Sequence, residues 1–232
     1  MPSNLELMEM QTKALFIHDD NNYIRYINDS DGDLAPRLFL GRTHEGNVIR
    51  FRYDLPKSII KKLTNLVDLE PTSCKLSRDI VFLEKIKEIL QEHQEIQRVF
   101  EGPAYKLPRG IAFPSDVIKI TKDNVYLLKN SFEYMLSELQ FREPCFVKFI
   151  NENAVAICFS SRITNEFHEA GVETLPDFRG KGYATDVVAA WAIAIYEKNR
   201  IPAYSTSWDN NASQSVARKL ECEFYGVDLS IY

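Results

Sequence analysis

Arg179-Gly180-Lys181-Gly182-Tyr183-Ala184 forms a glycine-rich turn between a predicted strand at residues 170–175 and a predicted helix at residues 185–196. The first amides of a helix have no partner inside the helix, and the helix dipole adds partial positive charge at that end. The two glycines allow an anion to approach the backbone, and Arg179 and Lys181 add basic side chains beside it. The turn therefore predicts a phosphate-binding loop at the start of a helix.

Two common phosphate loops do not match this turn. The Walker loop needs Ser or Thr directly after its Gly-Lys pair, and this chain has Gly182 there. The dinucleotide loop needs three glycines and an acidic residue about 20 residues further on, and the turn does not meet that pattern either. The order Arg-x-x-Gly-x-Ala resembles the pyrophosphate loop of the GNAT superfamily of acetyl-CoA-dependent N-acyltransferases.

A second stretch supports the resemblance. Pro202 cannot continue the preceding helix, and residues 203–208 predict a strand. Residues 209–213, Asp-Asn-Asn-Ala-Ser, then predict a helix cap. This resembles the second GNAT motif, in which an Asn-x-x-Ser/Ala step begins a helix beside the cofactor. The two motifs in this order cover roughly the C-terminal half of the chain.

Ahead of these motifs, hydrophobic periodicity and turn residues predict further helices and strands. The predicted helices are residues 5–16, 56–66, 78–96 and 132–139, and the predicted strands are residues 37–43, 47–53, 117–128, 145–150 and 154–162. Glycines and prolines at residues 102–114 break the pattern. We therefore predict an N-terminal α+β extension of unknown role at residues 1–105. The GNAT N-acetyltransferase domain, with its mixed α/β sheet, is predicted at residues 115–232.

Composition limits the possible partners. Hydrophobic residues make up 45% of the 232 residues, enough for a sizeable core. The net charge is -5 and the basic residues form no long stripe, which argues against a nucleic-acid partner. The most apolar stretch, residues 182–196, is too short to span a membrane. We expect a cytoplasmic protein that is a monomer or a homodimer. No metal site is expected, because the histidines are scattered along the sequence and so are the cysteines: Cys74, Cys145, Cys158 and Cys222.

The resemblance implies acetyl-CoA as the acyl donor and assigns the residues that contact it. The pyrophosphate would lie against the loop, and the pantetheine arm would pair with the preceding strand. Asn210 and Ser213 would contact the cofactor, cap their helix, or do both. The implied cofactor-binding residues are Val172, Glu173, Thr174, Arg179, Gly180, Lys181, Gly182, Tyr183, Ala184, Thr185, Asn210 and Ser213.

Two carboxylates are candidates for the general base that takes the amine proton. Glu169 and Glu173 are four residues apart in a predicted strand, so they project from the same face. We expect Glu173 as the base, with Glu169 as the second choice. The alternative is that both face solvent or pair with Arg162. His168 points the other way, and we expect it at the surface.

The general acid and the acceptor contacts have their own candidate residues. Family members often have a tyrosine seven residues after the motif asparagine, where this chain has Ala217 or Arg218. Tyr225 is a candidate replacement, although an aromatic residue in a terminal strand is more often part of the core. Arg162 and Trp208 are candidate acceptor-binding residues, with ion pairing and packing as their alternatives.

Together these features predict an acetyl-CoA-dependent N-acetyltransferase. It would acetylate a primary amine of a small molecule or peptide by direct attack in a ternary complex, since no cysteine is placed for a covalent relay. The missing tyrosine leaves open a non-catalytic acyl-CoA-binding sensor or interaction module. A transferase that uses a longer acyl group is a third possibility.

Overall fold

The computed structural model describes residues 2–29, 34–70, 76 and 80–232. Cys74 and the predicted helix start at residue 78 lie outside the described residues. The chain divides into two compact units. The first comprises Met1–Ala104, Ser205–Asp209 and Phe224–Tyr232, and the second comprises Tyr105–Tyr204 and Asn210–Glu223. Both combine helices with strands, which confirms the predicted mixed α/β class.

The described residues fold into helices and strands, each numbered in chain order. The helices are α1 (Asn4–Leu15), α2 (Lys57–Val67), α3 (Leu83–Gln91), α4 (Met135–Glu138), α5 (Tyr183–Glu197) and α6 (Asn211–Lys219). The strands are β1 (Phe16–His18), β2 (Ile24–Ile27), β3 (Leu38–Arg42), β4 (Asn47–Phe51), β5 (Val99–Lys106), β6 (Val117–Ile120), β7 (Cys145–Ile150), β8 (Asn153–Ile163), β9 (Phe167–Thr174), β10 (Ile201–Ser205) and β11 (Glu223–Ile231). None of these helices has the length and apolar character needed to cross a membrane.

The first unit is organised around β3. This strand is antiparallel to β4 on one side and to β11 on the other. The hairpin of β3 and β4 matches the sequence prediction. α2 turns Ile59, Leu63 and Val67 inward, one apolar residue per helical turn. They pack in a core that includes Leu38 and Leu229.

The predicted break at residues 102–114 is wrong at its start, because β5 passes through Gly102 and Pro103 as regular strand. A Cβ on Gly102 would lie 1.7 Å from the Thr206 carbonyl oxygen, so glycine is needed where these backbones approach. Pro103 lacks an N–H, but its carbonyl accepts the Thr206 N–H at 3.2 Å. Glycine and proline are strand residues here, rather than turn residues.

The second unit is built on a sheet with the strand order β10-β9-β8-β7-β6. β10 is parallel to β9, and the remaining neighbours are antiparallel. α5 covers one face of this sheet with a buried run from Val187 to Ala192. On the other face, Ile157 and Phe159 pack with residues of α4 and of the 3-10 turn Val125–Leu128.

Two predicted elements of the second unit are shorter than expected. β6 ends at Ile120, because the Asn124 side chain accepts the Thr121 N–H at 2.7 Å and turns the chain. The predicted helix at residues 132–139 has a single α-helical turn, α4. The hairpin of β7 and β8 agrees with prediction.

Candidate functional site

A cavity of about 420 Å³ lies in the second unit where β9 and β10 separate. β10 pairs with β9 only from Ile201 to Ala203, whereas β9 continues to Thr174. Predicted cofactor residues make up most of its wall: Val172, Glu173, Thr174, Arg179, Gly180, Gly182, Tyr183, Ala184, Thr185, Asn210 and Ser213. The sequence did not indicate the other lining residues, which are Phe178, Tyr204, Ala212, Ser215, Val216 and Lys219.

The glycine-rich turn presents unpaired helix amides to this cavity. Gly180 and Gly182 have φ values of 76° and 87°, a left-handed conformation that favours glycine. Gly182 is the N-cap of α5, and the Asp186 N–H donates to its carbonyl at 3.2 Å. The amides of Tyr183–Thr185 therefore have no acceptor within the helix, and these residues line the cavity. The arrangement suits an anion.

The two basic side chains of the turn take different positions. Arg179 lines the cavity, and its Nε donates to the Thr174 carbonyl at 3.2 Å. Lys181 does not line it; its Nζ donates to the Asp177 carbonyl at 3.2 Å and lies 5.0 Å from the centre of the Phe178 ring. Lys219, in the last turn of α6, adds a second cation to the cavity wall.

The end of β9 presents backbone groups to the cavity. Leu175 donates its N–H to the Val155 carbonyl of β8 at 3.0 Å. Because strand residues alternate in direction, Glu173 also turns its backbone toward β8, while Val172 and Thr174 turn theirs to the opposite edge. On that edge β10 has already separated from β9. Val172 and Thr174 therefore direct their backbone groups to the open edge of β9, where the Thr174 carbonyl accepts from Arg179.

The start of α6 forms the wall facing β9. Asn210 is its N-cap and accepts the Ser213 N–H at 3.0 Å. This confirms the predicted helix cap. The Ser213 hydroxyl is hydrogen-bonded to the hydroxyl of Tyr204, the residue that follows the last paired position of β10.

Glu173 has a partner that the sequence did not reveal. Its Oε2 accepts a hydrogen bond from the Tyr134 hydroxyl at 3.0 Å. Partial burial and the nearby Glu173 carboxylate raise the pKa of Tyr134 well above its usual value, so it remains a donor. Ala170 and Val172 pack on the α5 side of the sheet, which puts Glu173 on the opposite face.

Glu169 lies on the same face as Glu173 but in a different environment. Its side chain is buried, with 4% of the residue exposed, and it does not line the cavity. Arg162 is its backbone partner on β8, beside a bulge between Ser160 and Arg162. The Ser161 hydroxyl donates to the Glu169 carbonyl at 3.1 Å.

His168 is not at the surface, and that prediction is wrong. It is 1% exposed, and its Nδ1 lies 2.8 Å from the Ser160 hydroxyl. Its Nε2 lies 2.8 Å from Nη1 of Arg200, which can only donate. The proton of the neutral ring is therefore on Nδ1. Burial and Arg200 lower the pKa of His168 to about 4.

Two predicted site residues lie in the first unit and do not line the cavity. Tyr225 is 1% exposed, and its hydroxyl donates to Oε1 of Gln11 at 2.8 Å. Trp208 donates its backbone N–H to the Glu101 carbonyl at 3.2 Å. Tyr225 is thus a core residue of the first unit rather than part of the cavity wall.

Comparison with known proteins gives a family match for part of the chain. The sequence profile of the GNAT acetyltransferases matches residues 144–226. No curated protein sequence matches the chain. Similar solved structures include a GNAT-family protein from Novosphingobium aromaticivorans, 12% identical, which covers 59% of this chain and 66% of that one at a TM-score of 0.46. A GNAT acetyltransferase from Colwellia psychrerythraea is 10% identical, with coverages of 100% and 98% and a TM-score of 0.49.

A third similar structure is an aminoglycoside N-acetyltransferase in complex with CoA. It is 19% identical over 45% of this chain and 89% of that one, at a TM-score of 0.38. The profile match includes the glycine-rich turn, β9, β10 and the whole of α6. Residues 144–226 of this chain thus match the sequence profile of the GNAT acetyltransferases.

Proposed function

We propose that the protein is an acetyl-CoA-dependent N-acetyltransferase that acts on a primary amine of a small molecule or peptide by direct attack in a ternary complex. One observation carries the proposal: the anion-binding start of α5 and the edge of β9 that β10 leaves open line the same cavity. Acetyl-CoA carries a pyrophosphate joined to an arm with amide groups. It therefore needs an anion site for the pyrophosphate and, next to it, an open strand edge for the arm.

The residues present fit this donor. The amides of Tyr183–Thr185, with Arg179, would hold the pyrophosphate. Val172 and Thr174 would pair with the amide groups of the arm. Lys219 is available for a further phosphate. When bound, acetyl-CoA supplies an activated acetyl group at its thioester.

Glu173 is the proposed general base. A primary amine is mostly protonated at neutral pH, so it must lose a proton before it can attack a carbonyl carbon. The Tyr134 hydroxyl occupies one carboxylate oxygen of Glu173 and holds the group in one orientation. The second oxygen can then accept the amine proton. Glu169, buried on the same face, is the alternative base.

Direct attack is favoured over an acyl-enzyme because the described cysteines are poor nucleophiles. Burial raises the pKa of Cys145 and of Cys222 to about 12. Cys158 is completely buried, and burial raises its pKa well above the usual value. The thiolate is the reactive form of cysteine, and very little of it would exist at these sites at neutral pH.

The proposal is tested by measuring release of the CoA thiol from acetyl-CoA with a panel of primary amines. The panel would contain amino acids, polyamines, aminoglycosides and peptide N-termini. Turnover with at least one amine, saturable in both substrates, is the expected result. Tight CoA binding without turnover of any amine at any pH would support the sensor alternative. Faster transfer from longer acyl-CoA donors would correct the acyl group.

A further inference from the structure

The cavity wall contains a buried tyrosine hydroxyl that the proposed roles do not use. Tyr204 directly follows Ala203, the last residue of β10 that pairs with β9. It is 2% exposed, yet it lines the cavity at the point where the strands separate. Its hydroxyl and that of Ser213 are hydrogen-bonded to each other.

Ser213 is held in place by its own helix. Its N–H donates to the Asn210 cap at 3.0 Å, which fixes the first turn of α6 against the cavity. Ser213 is half-buried, whereas Asn210 and Ala212 are exposed. Ser213 is therefore the partly exposed hydrogen-bond partner of the buried Tyr204 hydroxyl.

Tyr204 and Glu173 lie on opposite faces of the sheet. Tyr204 packs in the core beneath α5, together with Val172. Glu173 projects from the other face, toward Tyr134. A proton acceptor and a proton donor thus flank the open end of β9, and acyl transfer from sulfur to nitrogen can use one of each.

We propose that the Tyr204 hydroxyl, supported by Ser213, is the general acid that protonates the leaving CoA sulfur. The inference rests on the proposed function. The amine nitrogen bonds to the carbonyl carbon and gives a proton to Glu173. As the carbon–sulfur bond breaks, its electron pair passes to sulfur, which takes the Tyr204 proton. Tyr204 regains a proton from Ser213, which is reprotonated by solvent.

The electrostatics of Tyr204 agree with this role. Burial raises the pKa of Tyr204 above its usual value, so the hydroxyl is protonated at neutral pH. The hydrogen bond from Ser213 acts in the opposite direction and lowers that pKa, because it stabilises the tyrosinate. Ser213 thus favours the anion that proton donation leaves behind.

The other tyrosines near the site are less suited to this role. Tyr134 already donates to Glu173 on the opposite face. Tyr183 lines the cavity, but it belongs to the first turn of α5 beside the proposed phosphate position, and its ring centre lies 5.7 Å from Nζ of Lys148. Tyr183→Phe is therefore a matched control for Tyr204→Phe.

The test compares Tyr204→Phe, Ser213→Ala and Tyr183→Phe with wild type, using acetyl-CoA and its selenium analogue. A selenolate leaves without protonation, because a selenol is a far stronger acid than a thiol. We expect Tyr204→Phe to lower kcat with acetyl-CoA by about 100-fold and to have little effect with the selenoester. Ser213→Ala should show a smaller loss of the same kind, and Tyr183→Phe should behave alike with both donors.

A binding measurement checks the contact without relying on turnover. Calorimetric titration with CoA and with desulfo-CoA, over a range of pH, gives the pKa of the bound thiol. A tyrosine hydroxyl that donates to the sulfur lowers this pKa, so it should rise in Tyr204→Phe and stay unchanged in Tyr183→Phe. An unchanged thiol pKa in Tyr204→Phe would overturn the inference, and so would an equal loss of kcat with both donors. If wild type acetylates no amine, the proposed function fails and the catalytic role of Tyr204 with it.

Discussion

Two glycines of the second unit share a backbone conformation but differ in position. Gly182 and Gly110 have φ values of 87° and 82°, and a Cβ on either would meet nothing within 4 Å. A substitution at either position should cost a similar strain, about 1 kcal/mol. Gly182 lines the cavity, whereas Gly110 does not. Comparing the same substitution at Gly182 and at Gly110 therefore separates the effect of backbone strain from the effect of losing the anion site.

We expect Gly182→Glu to abolish CoA binding, because the side chain fills the approach to the helix amides and adds negative charge. Wild type and Gly110→Glu should both be stabilised by CoA, by roughly 2.7 kcal/mol at 100 times the Kd. Thermal unfolding with and without CoA measures this difference. If Gly182→Glu binds CoA as tightly as Gly110→Glu, the pyrophosphate does not lie on this turn.

Glu173 and Glu169 provide a second matched pair. Glu173→Gln keeps the shape of the side chain but removes the proton acceptor, so kcat should fall by roughly two to four orders of magnitude while CoA binding survives. The loss should be largest at low pH, where most of the amine is protonated, and should shrink toward the pKa of the amine. Steady-state kinetics across pH measures both effects.

The control for Glu173→Gln is Glu169→Gln on the same strand face. If only Glu169→Gln loses activity, the buried carboxylate is the base and Glu173 is not. If both variants keep full activity, the amine arrives neutral or passes its proton to water. Tyr134→Phe should lower kcat less than Glu173→Gln, because it removes the orienting hydrogen bond but keeps the carboxylate.

At the scale of elements, a buried hydrogen-bond network, here called the polar node, connects Ser160 of β8, His168 of β9 and Trp191 of α5. The Ser160 hydroxyl accepts from Nε1 of Trp191 at 3.1 Å and lies 2.8 Å from His168 Nδ1. Arg200 donates to the other ring nitrogen. A proton added to Nε2 would face this guanidinium, with Lys198 contributing further repulsion. The node therefore requires a neutral His168.

This requirement gives stability a pH dependence of known sign. The pKa of His168 falls from 6.5 in the unfolded chain to about 4 in the fold, so the unfolded state binds the proton more readily. The stability that the neutral His168 gives the fold is fully present above pH 6.5 and is lost as the pH falls toward 4. The difference between the two pKa values of His168 corresponds to at most about 3 kcal/mol in the free energy of unfolding. Urea unfolding followed between pH 4 and pH 7.5 measures it.

His168→Gln should flatten this pH dependence, because glutamine can serve both hydrogen bonds but takes up no proton in this range. His18 is the control: burial and Arg50 lower its pKa as well, but it belongs to the first unit. His18→Gln should leave the His168 contribution in place. A pH profile of His168→Gln that parallels wild type would contradict the assignment.

The sequence predicts the elements whose signals are local. The α5 turn and the α6 cap each need only a few adjacent residues, Gly182 and Asn210 among them, and both are found as expected. β5 was missed because Gly102 is required by the Thr206 backbone, a residue about a hundred positions away. Tyr134 and Tyr204 were missed for the same reason. Their partners, Glu173 and Ser213, are identified only once the strands are paired.

At the scale of the whole molecule, the first unit is assembled from distant parts of the sequence. β11 pairs with the full length of β3 and contributes Leu229 and Ile231 to the same core as Leu38. It also carries Asp228, whose Oδ2 accepts from Nε2 of buried Gln11 at 2.6 Å. A boundary drawn from composition at residue 105 separates these residues from the unit in which they pack.

We expect a fragment of residues 1–105 not to fold alone, because it exposes the edge of β3 and loses the apolar residues of β11. The same fragment with residues 223–231 appended through a flexible linker should regain a cooperative thermal transition and dispersed amide resonances. The linker fragment with Leu229→Ala should be less stable by about 2–5 kcal/mol, the usual cost of removing a buried leucine side chain. A cooperative transition in residues 1–105 alone would instead make the extension an independent domain, to which β11 adds stability without being needed for its fold.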